Sequence, residues 1–140
     1  MKVVILAAGR GTRLGKLIPK TLTSLKDGKN ILTHQIEGLS HYISNQEIFV
    51  VVGYKKELII EAFPDLSYIH NNSYHNTNTS QSLLIALNQL TDDDILWLNG
   101  DIVYDHRVIG RILDCKGSCM AVKKTLVGEE EVKYRTNHQG

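Results

Sequence analysis

A glycine-rich, basic segment follows an apolar run near the start of the chain. Residues 6–20 have the sequence LAAGRGTRLGKLIPK and contain three glycines, two arginines and two lysines. The backbone amides of such a loop can surround an anion, and its cationic side chains can neutralise the charge of that anion. The segment therefore predicts a phosphate-binding turn.

Two common phosphate-binding motifs do not fit this turn. A Walker motif has four residues between its glycines, but only three separate Gly11 from Gly15. It also ends in Lys followed by Ser or Thr, whereas Lys16 precedes Leu17. A dinucleotide-binding motif needs a glycine where Leu14 stands. It also needs an acidic residue at the end of a second strand, about 20 residues further on, but that region of this sequence is Pro-Lys followed by a polar turn.

A third arrangement fits the turn best. In this arrangement the loop amides surround a triphosphate, and Arg13 and Lys20 supply positive charge on the same side. Glycine-rich turns between a strand and a helix also occur without ligands, and a dinucleotide-binding domain would bind NAD instead. Both alternatives stay open on the turn alone.

An aspartate ends another apolar run, LWLNGD, at residues 96–101. In open α/β sheets, ligands bind beyond the carboxyl ends of the strands. A carboxylate at this edge, across from the glycine-rich turn, can hold Mg²⁺ that also binds triphosphate oxygens. The sequence therefore predicts Asp101 as a metal ligand and Mg²⁺ as the cofactor.

A polar segment, NNSYHNTNTS, precedes an apolar helix-like run. Amide and hydroxyl side chains in such a cluster can recognise the edge of a base, and the free amides of a helix start add donors. An ordinary capped helix with a polar start is the alternative. The candidate residues are Asn71, Tyr74, Thr77, Asn78, Thr79 and Ser82.

Apolar β-branched runs alternate with amphipathic segments along the chain. This order predicts βαβ units and a mainly parallel α/β sheet with flanking helices. Thr79 or Ser80 is expected to cap one helix, and Asp105 is expected to cap another that begins at His106. The predicted strands cover residues 2–8, 48–52, 66–71 and 94–101, with two more within 118–140, and the predicted helices cover residues 31–43, 55–63 and 80–90.

The composition is typical of a globular protein with a single domain. The chain has 140 residues, of which 42% are hydrophobic and 22% charged. The net charge of +1 does not indicate a nucleic-acid partner, and the apolar runs are too short to indicate a membrane partner. The N-terminal run does not have the form of a signal peptide. We expect a cytoplasmic protein. Cys115 and Cys119 are expected to be reduced thiols, because no second pair or suitably spaced histidine completes a zinc site.

The glycine-rich turn resembles the signature of nucleotidylyltransferases that make activated sugars and related compounds. The hallmark of this family, L-A-A-G-x-G-x-R-L followed by P-K, is matched by residues 6–14 and by Pro19-Lys20. The spacer at residues 15–18 is shorter than in many sugar-specific members. The resemblance implies a Rossmann-like fold of the nucleotide-diphospho-sugar transferase type, in which residues 1–140 form the N-terminal nucleotide-binding portion of the domain.

Two other segments are similar to the same family. The segment from Asn71 resembles N-x-x-Y-x-x-T, which helps to hold the base, and Asn78 in place of a frequent glycine is similar to the choline-phosphate cytidylyltransferase branch. The motif L-x-G-D-x-x-[FY]-D is matched through Asp101, Tyr104 and Asp105.

The resemblance implies transfer of a nucleotidyl group from CTP, UTP or dTTP to a sugar-1-phosphate or phosphocholine, with release of pyrophosphate. Arg13 would hold the β- and γ-phosphates, Lys20 would neutralise the α-phosphate and the incoming phosphate, and Asp101 would hold Mg²⁺. The implied nucleotide-binding residues are Leu6, Ala7, Ala8, Gly9, Gly11, Thr12, Asn78 and Thr79.

The catalytic domain of this family usually runs considerably longer, so we expect this chain to be a fragment that lacks most of the acceptor pocket. Two other function classes remain open, a nucleotide-binding module without catalysis and a glycosyltransferase relative that uses a nucleotide-sugar. An unfinished sheet edge would also favour a homo-oligomer.

Overall fold

The computed structural model describes residues 1–10, 18–91 and 94–123, and this part of the chain contains one parallel sheet with helices on both faces. The strands are β1 (Lys2–Leu6), β2 (Ile48–Val52), β3 (Ser67–His70) and β4 (Ile95–Asn99). The helices are α1 (Ile31–Ser40), α2 (Lys56–Ala62), α3 (Thr79–Gln89) and α4 (Arg107–Leu113). Short 3-10 turns occur at Lys20–Leu22 and Asn45–Glu47.

β1 lies at the centre of the sheet, whose order is β3-β2-β1-β4 with parallel pairing throughout. Leu6 lies opposite Val51 of β2 and Asn99 of β4. Because helices cover both faces of a parallel sheet, a central strand is apolar on both sides. Successive side chains of β1 and of the two residues after it alternate between the faces, with Val3, Ile5 and Ala7 on one and Val4, Leu6 and Ala8 on the other.

The helices divide unequally between the two faces. α1, α2 and α4 bury Leu32, Ile59 and Ile109 on the face that carries Ile5. α3 covers the opposite face and buries Ala86 there. None of the helices in the described ranges is long and apolar enough to cross a membrane.

This architecture confirms the predicted α/β fold with a parallel sheet and flanking helices. The strands and helices expected before residue 102 are all present, and their ends lie close to the predicted ones. The strands expected after α4 are not confirmed. Residues 118–123 are exposed and pair with none of the described strands, and the remainder of that prediction falls on residues 124–140, outside the described part.

The start of α3 differs from the prediction. Asn78 caps this helix, rather than Thr79 or Ser80. The Oδ1 atom of Asn78 accepts a hydrogen bond from the Gln81 amide at 3.0 Å, and the Asn78 amide donates to Oε1 of Gln81 at 3.3 Å. This reciprocal capping box satisfies two amides at once, which neither alternative cap would do.

The start of α4 lies one residue later than predicted, and the capping position is His106, whose side chain makes no capping bond, rather than Asp105. Asp105 nevertheless contacts the first turn. Oδ1 of Asp105 accepts a hydrogen bond from the backbone amide of Arg107 at 2.9 Å. The guanidinium of Arg107 also donates to both carboxylate oxygens of Asp105. These bonds hold the pKa of Asp105 well below its usual range. Asp105 therefore serves the helix start.

Gly38 lies inside α1, and replacing it by alanine is expected to stabilise the protein. The added methyl group would lie 3.5 Å from Cβ of His106 and 3.6 Å from Cε2 of Tyr104, which are ordinary van der Waals distances. Alanine loses less backbone entropy than glycine in a helix, so the free energy of unfolding should rise by about 0.5–1 kcal/mol.

Denaturant unfolding of Gly38→Ala beside the parent chain measures this gain. Gly110→Ala in α4 is the matched comparison, because its methyl group would lie only 3.1 Å from the hydroxyl oxygen of Tyr42. We expect a smaller gain there. A lower free energy of unfolding for Gly38→Ala than for the parent would show that the methyl group does not fit between α1 and the segment before α4.

Candidate functional site

The carboxyl end of β1 is the point at which the chain changes direction across the sheet. From β1 the chain continues to β2 and β3 on one side, and it then returns to β4 on the other side. Ligands of open α/β sheets bind in the crevice that opens beyond the strands at such a switch point. The residues that follow β1 and β4 are therefore the natural candidates for a site.

Two glycines allow the segments around this crevice to approach closely. The Gly100 amide donates to the carbonyl of Leu6 at 2.9 Å, and a Cβ atom at Gly100 would lie 2.8 Å from the same oxygen. A Cβ atom at Gly53 would lie 2.7 Å from Cβ of Tyr74 and 2.9 Å from the carbonyl oxygen of Ala8. Contacts of this length leave no room for a side chain at either position.

Lys20 and Asp101 come together at the crevice, although 81 residues separate them in the sequence. The Nζ atom of Lys20 lies 3.5 Å from Oδ2 of Asp101, and their side chains are 31% and 48% exposed. Lys20 begins a 3-10 turn directly after the buried Pro19, and Asp101 follows Gly100 at the end of β4. A cation and a carboxylate thus meet where solvent and ligands can reach both.

A cleft of about 190 Å³ opens between the end of β1 and the start of α3. Polar side chains line its α3 side, and the backbone after β1 lines the other. Its lining residues are Leu6, Ala8, Gly9, Tyr74, Thr77, Asn78, Thr79 and Ser82.

A buried asparagine fixes the polar wall of the cleft. Asn71 is 1% exposed, and its Nδ2 atom donates to Oγ1 of Thr77 at 2.8 Å and to Oγ of Ser82 at 3.0 Å. Its Oδ1 atom accepts a hydrogen bond from the amide of Ser73 at 3.1 Å. Asn71 therefore holds the loop before α3 against the helix, which sets the position of Asn78 and Thr79.

Asn78 caps α3 through its carbonyl oxygen, so the amide nitrogen of the same side chain can donate to a ligand in the cleft. Arg10 lies at the rim on the other side, with its guanidinium 5.9 Å from the centre of the Tyr74 ring. The sequence reasoning did not single out Arg10, because it occupies a variable position of the glycine-rich motif. Its side chain adds a positive charge near the opening.

An apolar groove of about 260 Å³ continues from the cleft between α3 and β4. Its walls include Leu6, Thr79 and Leu87, together with Trp97, whose side chain is 47% exposed.

Comparison with known proteins assigns this arrangement to a family. Residues 3–131 match the family model described as the MobA-like NTP transferase domain. The chain belongs to this family. The match confirms the resemblance to nucleotidylyltransferases that the glycine-rich turn indicated.

Relatives of this chain include a bifunctional protein and a UTP–glucose-1-phosphate uridylyltransferase. It is 39% identical over 114 residues to the bifunctional protein GlmU of Methanococcus maripaludis, a match that covers 77% of the chain and 26% of that protein. It is 34% identical to the UTP–glucose-1-phosphate uridylyltransferase AglF of Haloferax volcanii, over 75% of the chain and 45% of the relative. The chain thus spans less than half the length of these relatives.

A solved structure supports the same assignment. The CTP:phosphocholine cytidylyltransferase LicC of Streptococcus pneumoniae aligns with a TM-score of 0.59 and 31% identity, over 71% of this chain and 44% of that one. The likeness covers a Rossmann-like portion of both proteins.

The structure separates the predicted nucleotide-binding residues into three groups. Leu6, Ala8, Gly9, Asn78 and Thr79 line the cleft. Ala7 instead joins the core on the α1 face, and its amide donates to the carbonyl of Val51 at 2.9 Å. The predictions for Gly11, Thr12 and Arg13 lie outside the described residues.

The carboxylate at the site suits a metal shared with phosphate. Within the described ranges, no three His, Cys, Asp or Glu side chains form a cluster that could enclose an ion. Mg²⁺ in phosphate-transferring proteins takes one or two carboxylates and fills its other positions with phosphate oxygens and water. Asp101, exposed and next to the crevice, fits that donor set.

Proposed function

We propose that this chain carries the nucleotide-binding part of a nucleotidyltransferase, which transfers a nucleotidyl group from a nucleoside triphosphate to a phosphorylated acceptor and releases pyrophosphate. The single observation that carries the proposal is the meeting of Lys20 and Asp101, 3.5 Å apart, at the switch point of the sheet. The polar cleft at the carboxyl end of β1 supports the same function, because it offers donors to a base.

The reaction explains why a cation and a carboxylate would be needed together. A phosphate oxygen of the acceptor forms a bond to the α-phosphorus, and the bond from that phosphorus to the bridging oxygen of pyrophosphate breaks. Such transfer requires positioning and charge stabilisation rather than a covalent protein intermediate. Mg²⁺ bound at Asp101 would supply positive charge to the phosphate oxygens.

Lys20 would carry the charge stabilisation that this chain itself contributes. With a triphosphate bound, its ammonium group would donate hydrogen bonds to oxygens of the α-phosphate and of the incoming phosphate. The 3.5 Å contact with Asp101 holds the ammonium group at the crevice before the nucleotide arrives. Arg13 and the amides of Gly11 and Thr12 remain predicted partners of the β- and γ-phosphates.

The polar wall of the cleft favours recognition of a base. Thr79 and the side-chain nitrogen of Asn78 can bond to the polar edge of a pyrimidine, and Tyr74 offers an aromatic ring at the same opening. Two relatives, AglF and LicC, carry UTP and CTP in their names. We therefore propose CTP, UTP or dTTP as the nucleotide, with a sugar-1-phosphate or phosphocholine as the acceptor.

A ligand panel tests the proposal through Lys20→Ala. In thermal-shift and calorimetric titrations with Mg²⁺, the parent chain should bind one pyrimidine nucleoside triphosphate more tightly than ATP, GTP, UDP-glucose or NAD. Loss of a charge-assisted hydrogen bond costs about 1.5–3 kcal/mol, so Lys20→Ala should bind that triphosphate about tenfold to a hundredfold more weakly.

Lys26→Ala is the control, because this exposed lysine lies in the turn before α1, does not line the cleft and is not the lysine that meets Asp101. It should bind the triphosphate as the parent does. Preference of the parent for UDP-glucose would indicate a glycosyltransferase relative, and preference for NAD would indicate a dinucleotide-binding domain. Either result, or equal binding by Lys20→Ala and the parent, would contradict the proposal.

A second candidate function is nucleotide binding without catalysis. It is supported by the polar cleft at the start of α3, whose donors to a base do not depend on catalysis. Mg²⁺-dependent triphosphate binding without pyrophosphate release, for either acceptor, would support this candidate. The cytoplasmic location and a homo-oligomer stay predictions.

A further inference from the structure

A glutamine occupies a core position of α1. Gln35 is 1% exposed and lies in the helical stripe that also buries Leu32 and Leu39. Apolar side chains are expected at such positions, and a polar one needs hydrogen-bond partners there. The partners of Gln35 belong to the segment that carries Asp101.

Residues 99–102 form a tight turn, with Gly100 and Asp101 at its corner. The amide of Ile102 donates to the carbonyl of Asn99 across the turn, at 3.4 Å. The Nε2 atom of Gln35 donates to the carbonyl of Asn99 at 2.9 Å and to the carbonyl of Ile102 at 2.8 Å. One side-chain amide thus uses both of its hydrogens to hold the two ends of the turn that presents Asp101.

The chemistry of these contacts fixes the orientation of the Gln35 amide. Both partners are carbonyl oxygens, so the atom facing them must be the nitrogen. The other amide atom, Oε1, is buried and has no hydrogen-bond partner among the described residues. Burying an unpaired carbonyl oxygen is unfavourable, so Gln35 contributes through its contacts with the turn and not through its packing in the core.

A second contact attaches the segment after Asp101 to the same helix. The hydroxyl of Tyr104 donates to the backbone carbonyl of Gln35 at 3.4 Å, and the Tyr104 ring lies against Gly38. Burial of this hydroxyl raises the pKa of Tyr104 to about 12, so it stays protonated and able to donate at neutral pH. α1 therefore holds the chain on both sides of Asp101.

We propose that Gln35 is a positioning residue, which fixes the turn at residues 99–102 so that the Asp101 carboxylate faces Lys20 and a Mg²⁺-bound triphosphate. This inference rests on the proposed function for its consequence in metal binding. Its structural half, the fixing of the turn by a single amide, stands on the two hydrogen bonds alone.

The test compares Gln35→Met with the parent, using the full chain. Methionine keeps the length and unbranched shape of glutamine but donates no hydrogen bonds. Two quantities are measured: the Mg²⁺ concentration that gives half-maximal binding of the preferred triphosphate, and the hydrogen-exchange rate of the Ile102 amide. We expect both to rise at least about tenfold in Gln35→Met. This change corresponds to the free energy of one hydrogen bond, and the substitution removes two.

Asn30→Ala is the matched control. Asn30 caps the same helix, and its Oδ1 atom accepts hydrogen bonds from the amide and hydroxyl of Thr33 at 2.8 and 3.0 Å. Its loss should lower the melting temperature without changing the Mg²⁺ requirement or the exchange of Ile102. If Gln35→Met does not fold, Gln35→Asn carries the test, because its shorter amide can reach at most one of the two carbonyls.

The outcomes separate the two proposals. A parent chain that binds no triphosphate in a Mg²⁺-dependent manner would contradict the proposed function, and with it the metal-binding consequence, whereas the exchange of Ile102 still tests the turn. The positioning role would be overturned if the parent binds triphosphate in a Mg²⁺-dependent manner and the Gln35 variant needs the same Mg²⁺ concentration, even if the variant is less stable.

Discussion

Asp101→Asn is expected to abolish the Mg²⁺-dependent part of triphosphate binding by this chain. The substitution keeps the size and shape of the side chain but replaces the carboxylate by a neutral amide. Removing the charge takes away the hard anionic ligand that Mg²⁺ requires, and it leaves Lys20 without its partner at 3.5 Å. This substitution should have the largest effect on ligand binding.

The expected magnitude follows from the role of a metal in phosphate transfer. A bound divalent ion stabilises phosphate charge by several kcal/mol, so binding in saturating Mg²⁺ should weaken by more than about a hundredfold. Calorimetric titration of the preferred triphosphate, with Mg²⁺ and with EDTA, measures the difference. The variant should give the same weak affinity in both conditions.

Asp65→Asn is the control for the loss of one negative charge. Asp65 is exposed in the segment between α2 and β3, away from the crevice, so its variant should keep the affinity and Mg²⁺ dependence of the parent. Retained Mg²⁺-dependent binding in Asp101→Asn would show that the metal is held elsewhere, and would remove the basis for assigning Asp101 as its ligand.

Gly100→Ala is expected to have the largest effect on stability. A methyl group at this position would lie 2.8 Å from the carbonyl oxygen of Leu6 and 3.2 Å from Cα and Cβ of Ala7. These atoms belong to the end of β1 and the residue after it. The ends of β1 and β4 must therefore separate to remove the overlap with the methyl group. Overpacking of this kind typically costs 1–3 kcal/mol, and we expect a loss of about 3 kcal/mol in the free energy of unfolding.

The same movement should reach the site, because Asp101 is the next residue in the chain. Denaturant unfolding gives the stability loss, and triphosphate titration should show weaker binding in the fraction that stays folded. Gly9→Ala is the matched control for stability, since no atom lies within 4 Å of the methyl group that it would introduce. Equal stability of Gly100→Ala and the parent would refute the close approach of β1 and β4.

The sequence predicts the sheet, and it predicts that Asp101 lies across from the glycine-rich turn, for one physical reason. The loops after parallel strands lie at the same edge of a sheet, so residues that follow two neighbouring strands come together. The alternation of side chains along a strand could also have separated Ala7 from Ala8, because neighbouring residues face opposite sides. Both pack in the core, Ala7 on the α1 face and Ala8 on the α3 face, where Ala8 also lines the cleft. Their assignment to the nucleotide stays a prediction of the family motif.

Gln35 illustrates what the sequence could not supply. A polar residue within the apolar stripe of α1 is a visible signal, but its meaning depends on which loop packs over that helix. The carbonyls that it binds belong to residues 64 and 67 positions later in the chain. Local patterns determined the helix and its buried face, whereas the function of the side chain depends on tertiary contacts.

The half-exposed Trp97 makes the binding edge of this protein observable without a label. It is the single tryptophan of the chain, and it lines the apolar groove with Leu6 and Thr79, which also line the cleft. The emission of an indole ring depends on the polarity and mobility of its surroundings. Intrinsic fluorescence therefore reports from this one edge of the sheet, and a nucleotide, an acceptor or a further segment of polypeptide that covers it would each change the spectrum.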